Sequence, residues 1–126
     1  MTSLGFVALG GALGSTLRYL VGLGLTDRIG HGFPWGTLVV NLSGSFCIGI
    51  VAELALTRPF GLAPLLRVFL IVGVLGGYTT FSGLAYENMT MIADGALVLA
   101  LAYSAASVVA GTAAAFAGAL LVRLAG

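Results

Sequence analysis

The sequence predicts an all-α membrane protein of four transmembrane helices, and three observations indicate that class. Of the 126 residues, 60% are hydrophobic and only 7% are charged, whereas about a quarter of the residues in a soluble domain are charged. The mean hydropathy is +1.15. Four apolar windows are each long enough to cross a hydrocarbon core of about 30 Å. Because these windows and their short links use up the whole length, we expect a single transmembrane domain over residues 1–126.

The predicted helices are separated by short links of polar, glycine and proline residues. The first link contains Asp27 and Pro34, the second contains Arg58 and Pro59, and the third is a tight turn around Asp94. Such residues end helices, and short links place consecutive helices antiparallel. The amino terminus lacks the basic region of a signal peptide, so we expect it to remain as the first helix. The predicted helices cover residues 4–25, 36–56, 64–91 and 95–124.

The third predicted helix contains the stretch GGYTTFSG, from Gly76 to Gly83. Each glycine weakens a helix by about 1 kcal/mol relative to alanine, and the hydroxyls of Thr79, Thr80 and Ser82 can bond the backbone locally. We therefore predict a break in the third helix at the middle of the membrane. Backbone broken at that depth must be buried in protein or line a cavity, and its free carbonyls are potential ion ligands. A packing kink against a neighbouring helix is the alternative.

Two rows of uncharged polar side chains follow the second and fourth helices. Thr37, Asn41 and Ser45 are spaced i, i+4, i+8, and Tyr103 and Ser107 repeat the spacing on the last helix. A single serine or threonine more commonly bonds its own helix, but an unpaired asparagine amide is costly in hydrocarbon. Rows of neutral donors without a ring of carboxylates suit the passage of an anion.

The charged residues exclude some functions and leave the orientation open. No basic patch is available for nucleic acid, and no nucleophile–base pair, phosphate loop or metal-ligand cluster indicates an enzyme. With the amino terminus in the cytoplasm, three arginines lie inside and two outside. Because so weak a bias does not fix one orientation, we predict dual topology and an antiparallel dimer; an insertion factor that sets one orientation is the alternative. The inside arginines are Arg58, Arg67 and Arg123, and the outside ones are Arg18 and Arg28.

Three motifs in this order resemble those of the Fluc (CrcB-like) fluoride channels. They are GGALGSTLRY at 10–19, GTLVVN at 36–41 and GVLGGYTTFS at 73–82. The resemblance covers nearly the whole chain. It implies a multi-pass fluoride channel of the bacterial cell (inner) membrane, built as an antiparallel homodimer with two pores along the subunit interface. It also implies a structural sodium ion at the centre of that interface.

The same resemblance implies roles for individual residues. Gly76 and Thr79 match positions whose backbone carbonyls hold the sodium ion in both subunits. Arg18 matches an arginine at the end of the first helix, and Glu87 matches an acid that follows the third-helix motif; both are expected to be structural. The resemblance assigns six residues to the fluoride pathway, and the polar row on the second helix adds Thr37; the six are Asn41, Thr80, Phe81, Ser82, Tyr103 and Ser107.

The chain departs from the family pattern at two places. Phe81 matches the first pore phenylalanine, but Leu84 stands where the family usually has a second aromatic residue. Gly111 stands where a hydroxyl often continues the row of the last helix, and the adjacent Thr112 is the candidate to replace it. These departures bear on the pathway more than on the fold.

Two other functions compete with passive fluoride export. A proton-coupled exporter of the small multidrug type also has four helices and dual topology, but that mechanism needs a buried carboxylate near the middle of the first helix. Residues 4–25 contain neither Asp nor Glu. A purely structural membrane subunit would leave Asn41 and the break unexplained. The sequence therefore predicts a fluoride channel whose partners are the fluoride ion, a second copy of the chain and membrane lipid.

Overall fold

The computed structural model describes residues 2–57 and 62–126, and four long helices account for most of them. All four are long and apolar enough to cross a membrane, and no strand occurs in the described residues. The predicted all-α fold with four spans is confirmed. Residues 58–61, most of the predicted second link around Arg58 and Pro59, lie outside the described residues. The helices are α1 (Thr2–Ile29), α2 (Trp35–Thr57), α3 (Pro64–Ala93) and α4 (Leu97–Ala125).

The first helix is longer than the sequence predicts. It continues past residue 25 through a polar turn that includes Asp27 and Arg28, whose side chains are exposed and need no partner in the bundle. It ends at Gly30, which has φ of 95°, and the Gly30 N–H donates to the Thr26 carbonyl at 2.9 Å. A left-handed glycine with this bond is a common helix C-cap. Backbone capping, rather than the loss of hydrophobicity, therefore sets the end of α1.

The third helix is interrupted, as predicted. Thr79 has ψ of 158°, and Thr80 has φ of −148° and ψ of 118°, so two residues are extended in mid-span. The break is narrower than the glycine-rich stretch predicts, because both glycines before it remain helical. A π-helical segment, which the sequence did not predict, precedes it. The helical pieces of α3 are Pro64–Arg67, Val68–Leu75 (the π-helical segment), Gly76–Tyr78 and Phe81–Ala93.

The bundle is held by close approach of helix backbones. The first helix packs against the amino-terminal part of α3, and α2 packs along α4. A Cβ atom added to Gly10 would lie 2.8 Å from the Gly73 Cα atom, and one added to Gly49 would overlap the Ala115 carbonyl. These contacts admit only small residues, as expected for helices that associate by packing in lipid. The contact at Gly10 places α1 against the segment of α3 that leads into the break.

Candidate functional site

Side chains of two other helices hold the peptide group at the break. The Asn41 Oδ1 atom accepts from the Thr80 N–H at 2.7 Å, and Asn41 Nδ2 donates to the Thr80 carbonyl at 3.0 Å. From α1, Arg18 Nη1 donates to the Thr79 carbonyl at 3.4 Å. The peptide between Thr79 and Thr80 is therefore bonded at its oxygen by Arg18 and at its nitrogen by Asn41. This pair of contacts fixes the orientation of the interrupted backbone.

The break redirects two N–H groups away from their helical acceptors. In an uninterrupted helix the N–H groups of Thr80 and Gly83 would bond the carbonyls of Gly76 and Thr79. Here the Thr80 N–H bonds Asn41, and the Gly83 N–H bonds the Thr80 Oγ1 atom at 2.9 Å. The carbonyls of Gly76 and Thr79 thus lose their helical partners. Freed carbonyl oxygens at a broken helix are the kind of donor that holds a monovalent cation.

An open groove of about 330 Å³ lies beside the break. The structure brings several of the predicted pathway residues together along it. The Phe81 side chain is 80% exposed, whereas Leu84, at the position of the missing second aromatic residue, is buried. The polar and break residues that line the groove are Asn41, Ser45, Gly76, Thr79, Thr80 and Ser107.

Ser107 presents an uncommitted hydroxyl to this groove. Its Oγ atom is buried and has no hydrogen-bond partner among the described residues. A serine in a membrane helix commonly bonds the carbonyl one turn back, and Ser107 makes no such bond within the described part. A buried polar atom without a partner is costly. The groove is therefore lined by a serine whose hydroxyl proton is not used by any described residue.

A second cluster gathers two predicted pathway hydroxyls around Glu87. Thr37 Oγ1 donates to Glu87 Oε1 at 2.5 Å, and the Tyr103 hydroxyl donates to Glu87 Oε2 at 2.7 Å. Hydrogen bonds to a carboxylate are short and strong. The Tyr103 side chain is buried, and Phe33 packs edge-on against its ring with 5.1 Å between centroids. In this cluster the hydroxyls of α2 and α4 meet at an acid of α3.

Comparison with known proteins assigns the chain to a family. A family model described as CrcB-like protein, Camphor Resistance (CrcB), matches residues 5–119. The chain belongs to the CrcB-like family. It is 50% identical over 98% of both chains to a fluoride-specific ion channel, FluC, of Rhizobium meliloti, and 46% identical over 98% of both to FluC of Agrobacterium fabrum. A FluC of Thermus thermophilus is 49% identical over 89% of this chain and 87% of its own.

Membership confirms the resemblance that the three motifs indicated. The relatives of this CrcB-like chain are named as ion channels and not as enzymes. With four helices that can span the bilayer, the chain is a multi-pass membrane protein. The exporter alternative gains no support, because α1 carries a single acid, Asp27, which is exposed in its last turn.

One prediction about position is wrong for this CrcB-like chain. Arg18 does not lie near the end of the first helix, because α1 continues to Ile29, eleven residues further on. It lies instead near the middle of the helix, at the depth of the break. Ser82 takes a peripheral place: it is exposed, and its hydroxyl lies 3.3 Å from the Thr80 hydroxyl.

Two polar groups near the site were missed by the sequence reasoning. The Tyr78 hydroxyl lies 2.9 Å from Ser43 Oγ and links the break to α2. The position of Tyr78 inside the GGYTTFS motif was a signal that could have found it. Asn88 donates to the Leu84 carbonyl at 3.0 Å, while its Oδ1 atom is buried without a partner among the described residues. No spacing rule in the sequence singles out Asn88.

Proposed function

We propose that this chain is a fluoride-selective channel that exports fluoride passively across the inner membrane of a bacterial cell. The observation that carries the proposal is the uncommitted Ser107 hydroxyl in the groove beside the break. Fluoride is small and strongly hydrated, so a pore must replace its water with close hydrogen-bond donors. Neutral donors release the ion again, whereas a full positive charge in contact with it would hold it. The names of the relatives point to the same ion.

Asn41 and Phe81 supply the remaining chemistry of the proposed path. The Asn41 amide has two N–H donors, and the bond to the Thr80 carbonyl uses one of them. Its second N–H is therefore available to an anion in the groove. The edge of a phenyl ring is electropositive, and the exposed ring of Phe81 lines the same groove. Thr80 and Ser82 extend the proposed path at the break. Thr37 and Tyr103 offer the ion no free donor there, because each donates its only hydroxyl proton to Glu87.

The functional unit in this proposal is an antiparallel homodimer of dual topology with two pores. The groove of one copy is open on one side, and a second copy would close it. The dimer is tested by measuring the mass of the purified protein in detergent. We expect the mass of two 12.7 kDa chains. Dual topology predicts that a cysteine at the exposed His31, in a Cys47→Ala background, is labelled to a similar extent from each side of the membrane. Labelling from one side alone would reject it.

A sodium ion at the centre of this dimer is part of the proposal. The carbonyls of Gly76 and Thr79 have lost their helical N–H partners, and both residues line the groove, so these oxygens suit a monovalent cation. Two copies would supply four such oxygens. Bound there, the ion would supply positive charge that joins the two broken helices. We assign it a structural role and no part in the movement of fluoride.

Fluoride efflux from liposomes that contain the purified protein tests the channel. We expect fast release of fluoride and little release of chloride under the same gradient. Phe81→Ile should lower fluoride efflux about fivefold or more, since one ring edge is worth about 1 kcal/mol or more in such contacts and 1.4 kcal/mol is a factor of ten in rate. Phe116→Ile is the matched control, because Phe116 is 73% exposed on α4 and does not line the groove. Equal efflux from both variants would reject the assigned path, and no fluoride efflux from the native protein would reject the channel.

A further inference from the structure

Arg18 places a full positive charge deep in the membrane region of the chain. It lies eleven residues before the end of the 28-residue α1. A charged side chain at that depth is costly and marks a functional site by default. Within residues 2–57 and 62–126 no carboxylate lies within 4.0 Å of its guanidinium. Among these residues, the Arg18 guanidinium hydrogen-bonds the Thr79 carbonyl.

The same carbonyl oxygen is one of the two proposed ligands of the sodium ion. A carbonyl oxygen has two lone pairs, so it can accept from Arg18 and also contact a cation. Two positive charges that share one oxygen repel each other, and the repulsion is strong where water is scarce. The oxygen cannot avoid this conflict by rotating, because Asn41 bonds the nitrogen of the same peptide at 2.7 Å.

We propose that Arg18 is a positioning residue that holds the Thr79 oxygen in place and also limits the affinity of the break for sodium. The proposal rests on the sodium site put forward above. Arg18 satisfies an oxygen that would otherwise lack a donor, while its charge weakens the binding of a cation at that oxygen. A neutral hydrogen-bond donor at this position would still satisfy the Thr79 oxygen but would no longer repel the cation. Sodium binding is therefore weaker in the native chain than in such a variant.

The test compares Arg18→Gln with the native protein in a sodium titration. The thermal unfolding midpoint of the purified protein is followed as sodium replaces N-methylglucamine at constant ionic strength. We expect Arg18→Gln to reach half of its stabilisation at a sodium concentration about tenfold lower than the native protein, because glutamine lacks the charge that repels the cation. Arg67→Gln is the matched control, since Arg67 is exposed and lies in the first turn of α3. Arg67→Gln should leave unchanged the sodium concentration that gives half of the stabilisation, here called the sodium midpoint.

A second variant keeps the inference testable if Arg18→Gln does not fold. Arg18→Lys retains the charge and should keep the sodium midpoint within about threefold of the native value. A tenfold lower midpoint for the lysine variant would overturn the inference, as would an unchanged or higher midpoint for Arg18→Gln. A native protein whose unfolding ignores sodium would reject the sodium site and this inference together. Fluoride efflux, measured separately, would still decide the channel.

Discussion

The third helix is broken at Thr79 and Thr80 and ends at Ala93, and different kinds of hydrogen bond stabilise these two places. At its end, the Gly95 N–H bonds the Ile92 carbonyl at 3.0 Å and the Ala96 N–H bonds the Met91 carbonyl at 2.8 Å. This Schellman motif uses only backbone groups of neighbouring residues. At the break, by contrast, the Thr80 peptide groups bond Asn41, which lies 39 positions earlier in the chain.

The difference shows how each interruption can serve a function. A turn closed by its own backbone keeps its shape whatever packs around it, so it contributes stability and little else. The break leaves polar groups in mid-membrane that depend on α1 and α2 for partners. Because those partners come from elsewhere, a ligand can compete for the same groups. Changes at the break should therefore affect ion transport, and changes at the turn should affect stability alone.

Asn41→Ala should have the largest effect. It removes both hydrogen bonds to Thr80, each worth about 1 kcal/mol or more when the remaining partner is buried. The peptide at the break then loses its orientation, and the groove loses its amide donor. We expect fluoride efflux from liposomes to fall at least about thirtyfold, since each 1.4 kcal/mol is a factor of ten in rate.

Asn88→Ala is the matched control for that change. It removes an amide of the same kind, but one that bonds the Leu84 carbonyl within its own helix. Fluoride efflux should stay within about threefold of the native rate, because no bond to the break is lost. If the two alanine variants slow efflux equally, the link between Asn41 and the break is not what supports transport.

The sequence predicted the existence of the break but not its supports. Paired glycines and three hydroxyls in eight residues weaken a helix locally, so the position of the break follows from residues 76–83 alone. The bond from Arg18 joins residues 61 positions apart, and it follows from how α1 crosses α3. Local patterns contain no information about that crossing, and the underestimated length of α1 also put Arg18 at the wrong depth.

The polar rows show the same limit. The i, i+4 spacing predicted that Thr37 and Asn41 share one face of α2, and in the structure both side chains bond residues of α3, as Tyr103 of α4 does. Their partners are set by the register between helices, which the spacing within one helix does not fix. Thus Asn41 bonds the break, while Thr37 and Tyr103 bond Glu87. The predicted residues lie in two clusters because the rows meet α3 at two levels, one at Thr80 and the other at Glu87.

Thr80→Val should have a smaller effect than Asn41→Ala. It removes the hydroxyl that accepts the Gly83 N–H at 2.9 Å and caps the second half of α3. Loss of such a cap costs about 1 kcal/mol, so the thermal midpoint should fall and fluoride efflux should drop several-fold. Thr80→Ser should restore both, since it keeps the hydroxyl. Thr90→Val is the control, because Thr90 is exposed and, within residues 2–57 and 62–126, its hydroxyl bonds only the Tyr86 carbonyl of its own helix.

Gly95→Ala should have the smallest effect on transport and a clear effect on stability. Gly95 has φ of 81°, and no atom of the described residues lies within 4 Å of an added Cβ, so the cost there is backbone strain. That strain is about 1 kcal/mol for alanine, and it should lower the unfolding midpoint while leaving fluoride efflux per folded protein unchanged. Gly24→Ala, also free of contacts but inside α1, should leave the midpoint unchanged or raise it. Slowed efflux in Gly95→Ala would mean that the turn and the break are coupled, because strain at the end of α3 would then have reached Thr80 through the helix between them.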